Sequence, residues 1–470
     1  MGRQRSLRSE IEHHLKEHDY TLSKLGELTG INPGHLNELL NGDPPRVITI
    51  GQLDAMAAAL GQAPGWLYEL YEEECFSEGK VSRSRVVPFL VRCAEIGRHD
   101  CMEQVVSKLL ENPKNVSILF SVAEHLFERG KQKESVPFYQ LVIENEKDSH
   151  AERFVMSQYR LFRALQGTDA EKNWEAVIRF DPYRKWLPEN HQLDALLQLA
   201  NVCYTLRRWE LVEKYADELR ELAHVVYEDE ICKRKNPKSG QTQKTERPLE
   251  RHLVVYYGQG YLLKGVALKN QGKYEEAKRY VDAYADLSWF EILDETGQAE
   301  VQKFRLWATA NSYTLDMLTG KTDILPDYIR FLADHPNEVL PGLVTILKSA
   351  NEYGFSVDHV LQQFGERISR FEGQQNVVRL SHHIQFRYQL AVYLLKKGKW
   401  KEGLEETVRC LVLSDTMMDY DNFKRCSALF WAHLQHASDQ QKRTYQTVMM
   451  KGAVKDERDF AFIGSGIGIV

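Results

Sequence analysis

The stretch Tyr261-Leu262-Leu263-Lys264-Gly265-Val266-Ala267-Leu268-Lys269-Asn270-Gln271-Gly272-Lys273-Tyr274-Glu275-Glu276-Ala277-Lys278-Arg279-Tyr280 reads as two helices joined by a tight turn at Gly272. Gly265 and Ala277 are small, so the two helices are expected to approach closely there, with Leu262, Leu268, Tyr274 and Tyr280 filling around them. The pattern recurs along the chain. Gly398-Lys399-Trp400-Lys401-Glu402-Gly403 follows Ala391, and Gly130-Lys131-Gln132-Lys133-Glu134-Ser135 follows Ala123, at the spacing that separates Gly272 from Gly265. Arg208-Trp209-Glu210-Leu211-Val212 follows Ala200 in a similar way. One helix pair cannot bury its own apolar face, whereas stacked pairs share a continuous core and curve into a superhelix with a concave groove.

A small residue in the first helix, a Gly-Lys-Tyr turn and a Glu-Ala opening of the second resemble the tetratricopeptide (TPR) repeat. The resemblance implies an all-α fold built as a right-handed superhelix of helix pairs. Helical periodicity predicts those pairs near 85–111, 114–146, 150–180, 188–230, 249–289, 294–335, 337–371, 376–413 and 418–450. Asn112-Pro113, Asp181-Pro182 and His335-Pro336 supply breaks, because the residue before proline avoids the helical region. The basic, aperiodic run from Lys233 to Lys244 predicts a loop, and an accessory phosphate or partner contact is its sharper reading.

The chain has 470 residues, with 61 Lys+Arg against 67 Asp+Glu; the resulting net charge of −6 argues against a chain-wide binder of polyanions. Cys75, Cys93, Cys101, Cys203, Cys232, Cys410 and Cys426 are scattered without a Cys-x-x-Cys pair, so neither zinc nor a disulfide framework is indicated. Reduced thiols in a cytoplasm are the expectation. No apolar run is long enough to span a bilayer, and no secretory signal opens the chain. Met1-Gly2-Arg3-Gln4-Arg5-Ser6 fits the loose myristoylation pattern, but it reads better as a cationic arm.

Residues 1–75 predict a compact unit of five short helices. The first runs from about Leu7 to Glu17. Thr21 can cap the second, which stops at Gly30. Asn32 with Pro33 opens the third, and Thr49 opens the fourth, which carries Leu53, Met56, Ala57 and Leu60. Trp66-Leu67-Tyr68 close a small fifth. Thr21-Leu22-Ser23-Lys24-Leu25-Gly26-Glu27-Leu28-Thr29-Gly30-Ile31-Asn32-Pro33, followed by Leu36-Asn37 and Asn41-Gly42, resembles the Xre/Cro-type phage-repressor domain. The resemblance implies a helix-turn-helix head whose third helix enters the major groove. The positions where that family usually reads bases fall on Pro33, Gly34 and Glu38, which leaves His35 and Asn37 as the candidate readers, with Asn32 at the helix start as a further DNA-binding candidate. Arg3, Arg5 and Arg8 on the arm, with Lys24 and Arg46, are the candidate phosphate contacts. The head holds six Lys or Arg against twelve acidic residues, a poor charge balance for a phosphate binder. A helix-turn-helix kept as a protein-binding or dimer-forming unit is the alternative.

No catalytic constellation is present: no Gly-rich phosphate loop, no Gly-x-Ser-x-Gly elbow and no His-Glu-x-x-His helix. No enzyme activity, cofactor or metal is expected. His382 and His383 are neighbours on a helix and cannot chelate together, so one core and one surface histidine are expected. The groove is the better site. With Gly265 as register, its inward stripe holds Gln259, Lys269 and Asn270 in that pair, Asp194, Asn201 and Tyr204 in an earlier one, and Gln385 and Tyr388 in a later one. Asn351 falls inward when Gly354 marks its turn, and Glu124 and Phe127 fall there in the second pair. Side-chain amides both donate and accept, which suits the backbone of an extended peptide.

A phage-repressor-like head followed by TPR pairs resembles the plan of the peptide-pheromone receptors of Gram-positive bacteria and their phages, the RRNPP type, to which the arbitrium receptors belong. The resemblance implies a cytoplasmic, homodimeric quorum-sensing transcription regulator whose binding to double-stranded DNA is switched by a short peptide in residues 82–455, without a membrane partner. The C-terminal pairs are the expected dimer contact. The apolar, Gly/Ile-rich tail of residues 456–470 departs from that plan and reads either as a strand against the last pair or as an internal mimic of the ligand. A TPR adaptor that controls a response regulator or repressor by protein contacts is the alternative function.

Overall fold

A computed structural model describes residues 6–77, 80–167, 169–235, 249–371, 377–417 and 419–453. The fold is all-α, as the periodicity predicts; among the described residues the exception is a two-residue ladder, Phe76–Ser77 against Lys80–Val81. Two units make up the chain. One comprises Met1–Leu206 with Thr245–Glu250, the other Arg207–Lys244 with Arg251–Val470.

The first unit opens with α1 (Leu7–Glu17), α2 (Leu22–Thr29), α3 (Pro33–Asn41), α4 (Ile50–Ala59) and the short α5 (Glu72–Cys75). The expected caps are made: Thr21 accepts from the Lys24 amide, Asn32 from the Gly34 and His35 amides, and Thr49 from the Gln52 amide. Ser6 caps α1 in the same way through a reciprocal pair with Ser9. These side chains satisfy amides that a helix start leaves without partners. The expected fifth helix at Trp66 is instead a 3-10 turn, Tyr68–Leu70, before α5.

Helix pairs follow: α6 (Arg83–Ile96) and α7 (His99–Leu110), α8 (Val116–Glu128) and α9 (Gln132–Asn145), α10 (Glu152–Leu165) and α11 (Ala170–Phe180), then α12 (Glu189–Thr205). The change of motif near residue 75 is not a break in the core. Leu36, Leu53 and Met56 of the head belong to one buried cluster with Phe89, Leu119 and Phe138. Tyr71 stacks on Phe89 at 4.9 Å, Arg85 donates to the Glu74 carbonyl at 2.9 Å, and Arg98 donates to the Gly65 carbonyl at 2.5 Å.

The second unit holds α13 (Trp209–Lys235), α14 (Leu253–Asn270), α15 (Tyr274–Ala285), α16 (Glu295–Leu318), α17 (Leu325–Asp334), α18 (Val339–Tyr353), α19 (Asp358–Gln363), α20 (Gly365–Ser369), α21 (Val377–Lys396), α22 (Trp400–Thr416), α23 (Tyr420–Ala432) and α24 (Asp439–Ala453). The expected loop begins later than its composition predicts. Lys233, Arg234 and Lys235 form the last turn of α13, where cations favour the helix C-terminus and Lys233 pairs with Asp229 at 2.8 Å. The remainder of that loop, and the tail 456–470, lie outside the described residues.

The turn read from Gly272 is a Schellman closure. Gly272 sits at φ +80, Lys273 N–H donates to the Leu268 carbonyl at 2.9 Å, and Gly272 N–H donates to the Lys269 carbonyl at 3.1 Å. The same two bonds recur at Gly130 with Lys131 and at Gly398 with Lys399, and also at Gly320 with Lys321, which the sequence reading passed over. The close approach expected at Gly265 is not there: an added Cβ would meet the Ala277 carbonyl and Tyr280 Cβ at an ordinary 3.6 Å. The tight glycine of α14 is Gly258, where an added Cβ would stand 2.4 Å from the Phe304 ring.

Candidate functional site

In the head, α3 turns Leu36, Leu39 and Leu40 inward and leaves Asn37, Glu38 and Asn41 exposed. Its outward face is short of cations, and its polar side chains bond one another. Asn41 donates to Asn37 Oδ1 at 3.0 Å, His35 Nε2 meets Gln52 Nε2 at 3.1 Å, and Arg46 Nε pairs with Glu38 at 3.1 Å. Lys24 pairs with Glu27 at 3.1 Å. Both ion pairs are solvent-exposed, so each contributes at most about 1 kcal/mol and is readily exchanged for a phosphate. Asn32 spends its side-chain oxygen on the cap of α3.

Arg8 has a different use. Its Nε donates to the Leu39 carbonyl at 2.9 Å, Nη2 to the Arg46 carbonyl at 2.7 Å, and Nη1 to Glu74 at 2.6 Å. Glu74 is buried and also accepts from the Ile48 amide at 3.2 Å. Arg8 therefore holds the end of α3 and the segment after it in place, with its guanidinium turned into the head. Arg3 and Arg5 lie outside the described residues.

The expected groove residues separate into three groups. Asp194 is fully buried: Tyr159 donates to it at 2.6 Å and Arg163 at 2.7 Å, so it does not face a groove. Glu124 is likewise taken up, accepting from Tyr139 at 2.6 Å and from Arg160 at 3.3 Å, with the Arg160 guanidinium over Phe127. Asn351 ties α18 to α21 by donating to the Gln389 carbonyl at 2.9 Å. Asn201 is exposed, while Tyr204 and Gln259 are half-buried. His383 is buried against Arg387 at 3.0 Å, and His382 is half-buried, so neither histidine is a surface residue.

Asn270, Gln385 and Tyr388 do come together. They line a cavity of about 330 Å³ in the second unit, bounded by α14, α18, α21 and α23, with Gln389 beside them. Sequence reasoning missed the cations around it: Arg207, Lys348 and Arg425. One signal was legible. Arg207 occupies the turn position that Gly130, Gly272 and Gly398 hold elsewhere, and it takes a left-handed φ of +55. A non-glycine residue held there is strained, and such strain collects at functional positions. Its guanidinium is fixed by Asp419 at 2.8 Å.

Lys269 lies beside Asn270, half-buried. Burial, and then the positive charge of Lys348, push its ammonium down to about 8. Burial and the charge of Lys269 in turn push His382 down to about 4, which leaves that imidazole neutral near pH 7. Among the described residues no group of His, Cys, Asp and Glu is placed to hold a metal ion, and no helix is long and apolar enough to cross a membrane.

Residues 10–73 match the Cro/C1-type HTH DNA-binding domain family. Comparison with the curated proteins gives no match. Among solved structures the chain is similar to a circular tandem repeat protein with novel repeat topology and enhanced subunit contact surfaces. The identity is 14% over 95% of this chain and 90% of that chain, and the TM-score is 0.14. The head is thus of the Cro/C1 helix-turn-helix type, followed by helical repeats, the layout of a transcription regulator.

Proposed function

We propose that the chain is a cytoplasmic quorum-sensing regulator of the peptide-pheromone-receptor type. It acts as a homodimer whose binding to double-stranded DNA is switched by a short peptide held in the second unit. The observation that carries this reading is the pairing of a Cro/C1-type head with a cavity walled by the amides of Asn270, Gln385 and Gln389. Amides that donate and accept match the peptide backbone without demanding one side-chain sequence. The test is a fluorescence-anisotropy titration of the full chain on duplex DNA from upstream of its own gene, with and without synthetic peptides from a neighbouring short reading frame. The expected result is a sequence-preferring complex whose affinity changes at least tenfold with one peptide. No DNA binding at low salt in either state overturns it.

One observation favours a second reading. Arg8 is turned inward and the outward face of α3 carries Glu38, so the head offers few cations to a duplex. In that reading the head is a protein-binding surface and the chain is an adaptor for a response regulator or repressor. Retention of such a partner by the full chain, with no retention of DNA, distinguishes the two.

A further inference from the structure

The cavity of the second unit is unevenly charged. Its lining carries three cations, Arg207, Lys348 and Arg425, against one carboxylate, Asp421. Arg207 is already matched by Asp419 at 2.8 Å. Lys348 and Arg425 are exposed and, among the described residues, pair with no carboxylate. The polar contact of Lys348 is the Tyr274 hydroxyl at 3.3 Å.

Lys269, the chain neighbour of the lining residue Asn270 on α14, is also without a carboxylate among the described residues. One turn and a half earlier on the same helix, Lys264 shows how this fold ordinarily treats a buried ammonium: Glu213 lies 2.7 Å away and Asp217 2.6 Å away. Lys269 instead has a second lysine, Lys348, near enough for its charge to disfavour that of Lys269. Like charges near a polar cavity are destabilising alone and become favourable once an anion binds beside them.

We propose that this cavity receives a carboxylate, carried by the ligand peptide as an acidic side chain or as its free C-terminus, and that Lys348 and Arg425 of its lining are the groups that bind it, with the charge of Lys269 favoured in turn. The proposal rests on the peptide reading for the identity of the carrier, and on the cavity alone for the charge. About 330 Å³ is at the small end of ligand pockets and suits an anchoring group rather than a whole peptide. Asn270, Gln385 and Gln389 then meet the amide next to the carboxylate.

The experiment uses the full chain and two pools of random hexapeptides, one with free C-termini and one amidated. Retained peptides are identified by mass spectrometry. Wild type is expected to enrich peptides bearing Asp or Glu in both pools if the side chain is the anchor, or to retain only the free-acid pool if the C-terminus is. Lys348→Glu and Arg425→Glu, both exposed and so without a folding burden, should each cut the enrichment by about tenfold, the loss of one charge-assisted contact. Retention by wild type without preference for carboxylates overturns the proposal. Sodium citrate, compared with sodium chloride at equal ionic strength, separates the two layers. A rise in melting temperature of wild type but not of Lys348→Glu, with no peptide retained, keeps the anion site and removes the peptide reading. No rise and no retention remove the anion site.

Discussion

Arg92 Nε on α6 lies 2.8 Å from Asp54 Oδ2 on α4, and the same carboxylate accepts from the buried Tyr68 hydroxyl at 2.7 Å. The head is therefore bonded to the first repeat helix as well as sharing its core. Asp54→Ala strands the Tyr68 hydroxyl and should cost about 1–3 kcal/mol, the range for a buried donor that loses its partner. Because the core is continuous, amides of α3 and α8 should exchange with solvent through one common opening. Hydrogen exchange that gives α3 a far lower opening free energy than α8 would show the head to be an independent domain.

Arg8 and Arg46 separate a scaffold role from a DNA role. Arg8→Ala leaves the buried Glu74 without its cation and should lower stability by about 2–3 kcal/mol in urea titrations, somewhat under a fully buried pair because Arg8 is partly exposed. In the folded fraction its salt slope for DNA should equal that of wild type. Lys24→Ala and Arg46→Ala should instead fold normally and each lower the slope by about 0.9. His35→Ala and Asn37→Ala should weaken the specific site more than random DNA, because base contacts carry specificity. A slope change in Arg8→Ala at wild-type stability contradicts the inward assignment.

The elements of this fold were legible because their signals are local. Thr21, Asn32 and Thr49 cap by bonds within three residues, and Gly130, Gly272 and Gly398 close turns by bonds within five. What depends on a distant helix was not. Asp194 reads as a groove residue from its register, yet Tyr159 and Arg163 arrive from α10 and bury it. Gly265 reads as the close-packing glycine, yet Phe304 from α16 presses on Gly258. Lys348 and Arg425 carry no local mark of their shared cavity.

The two glycines of α14 give a direct comparison. Gly265→Ala meets only ordinary contacts in a helix interior and should raise stability by up to about 1 kcal/mol, the difference in helix propensity. Gly258→Ala drives a methyl group into the Phe304 ring and should cost about 1–3 kcal/mol. Thermal unfolding of both variants measures this, and a neutral Gly258→Ala would mean that α14 and α16 pack more loosely than described.

Asp194 and Asn201 share a helix but not a role. Asp194→Ala removes the partner of Arg163 and the acceptor of Tyr159 in a buried site, while Glu250 at 3.1 Å still holds the arginine. The expected cost is about 3 kcal/mol, the low end for breaking a buried pair. Asn201 is exposed, so Asn201→Ala should leave the melting temperature unchanged, which thermal unfolding of the two variants measures.

The last prediction follows the charge on Lys269. Its ammonium is held near 8, below the ordinary lysine value of about 10.4. The folded protein therefore binds fewer protons than the unfolded chain between those values, so stability rises with pH across that window, and the cost of the buried charge is present below it. A bound carboxylate reverses the preference, because it favours the charged ammonium. Binding above pH 8 must then take up a proton. Affinity for a carboxylate-bearing peptide should be flat from pH 6.5 to 7.5 and should fall above pH 8 with a slope approaching about tenfold per pH unit. The other charged or titratable groups near it are Tyr274 on α15, Lys348 on α18, His382 and Tyr388 on α21, Arg425 and Asp421 on α23, and the Arg207–Asp419 pair. Burial and the charge of Lys269 keep His382 neutral across this range. Lys269→Met removes the titrating amine while filling its volume, and its affinity should be lower and independent of pH from 7 to 9. Calorimetry in buffers of different ionisation enthalpy counts the proton directly. A wild-type affinity that stays constant through pH 9, with no proton taken up, would mean that Lys269 does not meet the anion.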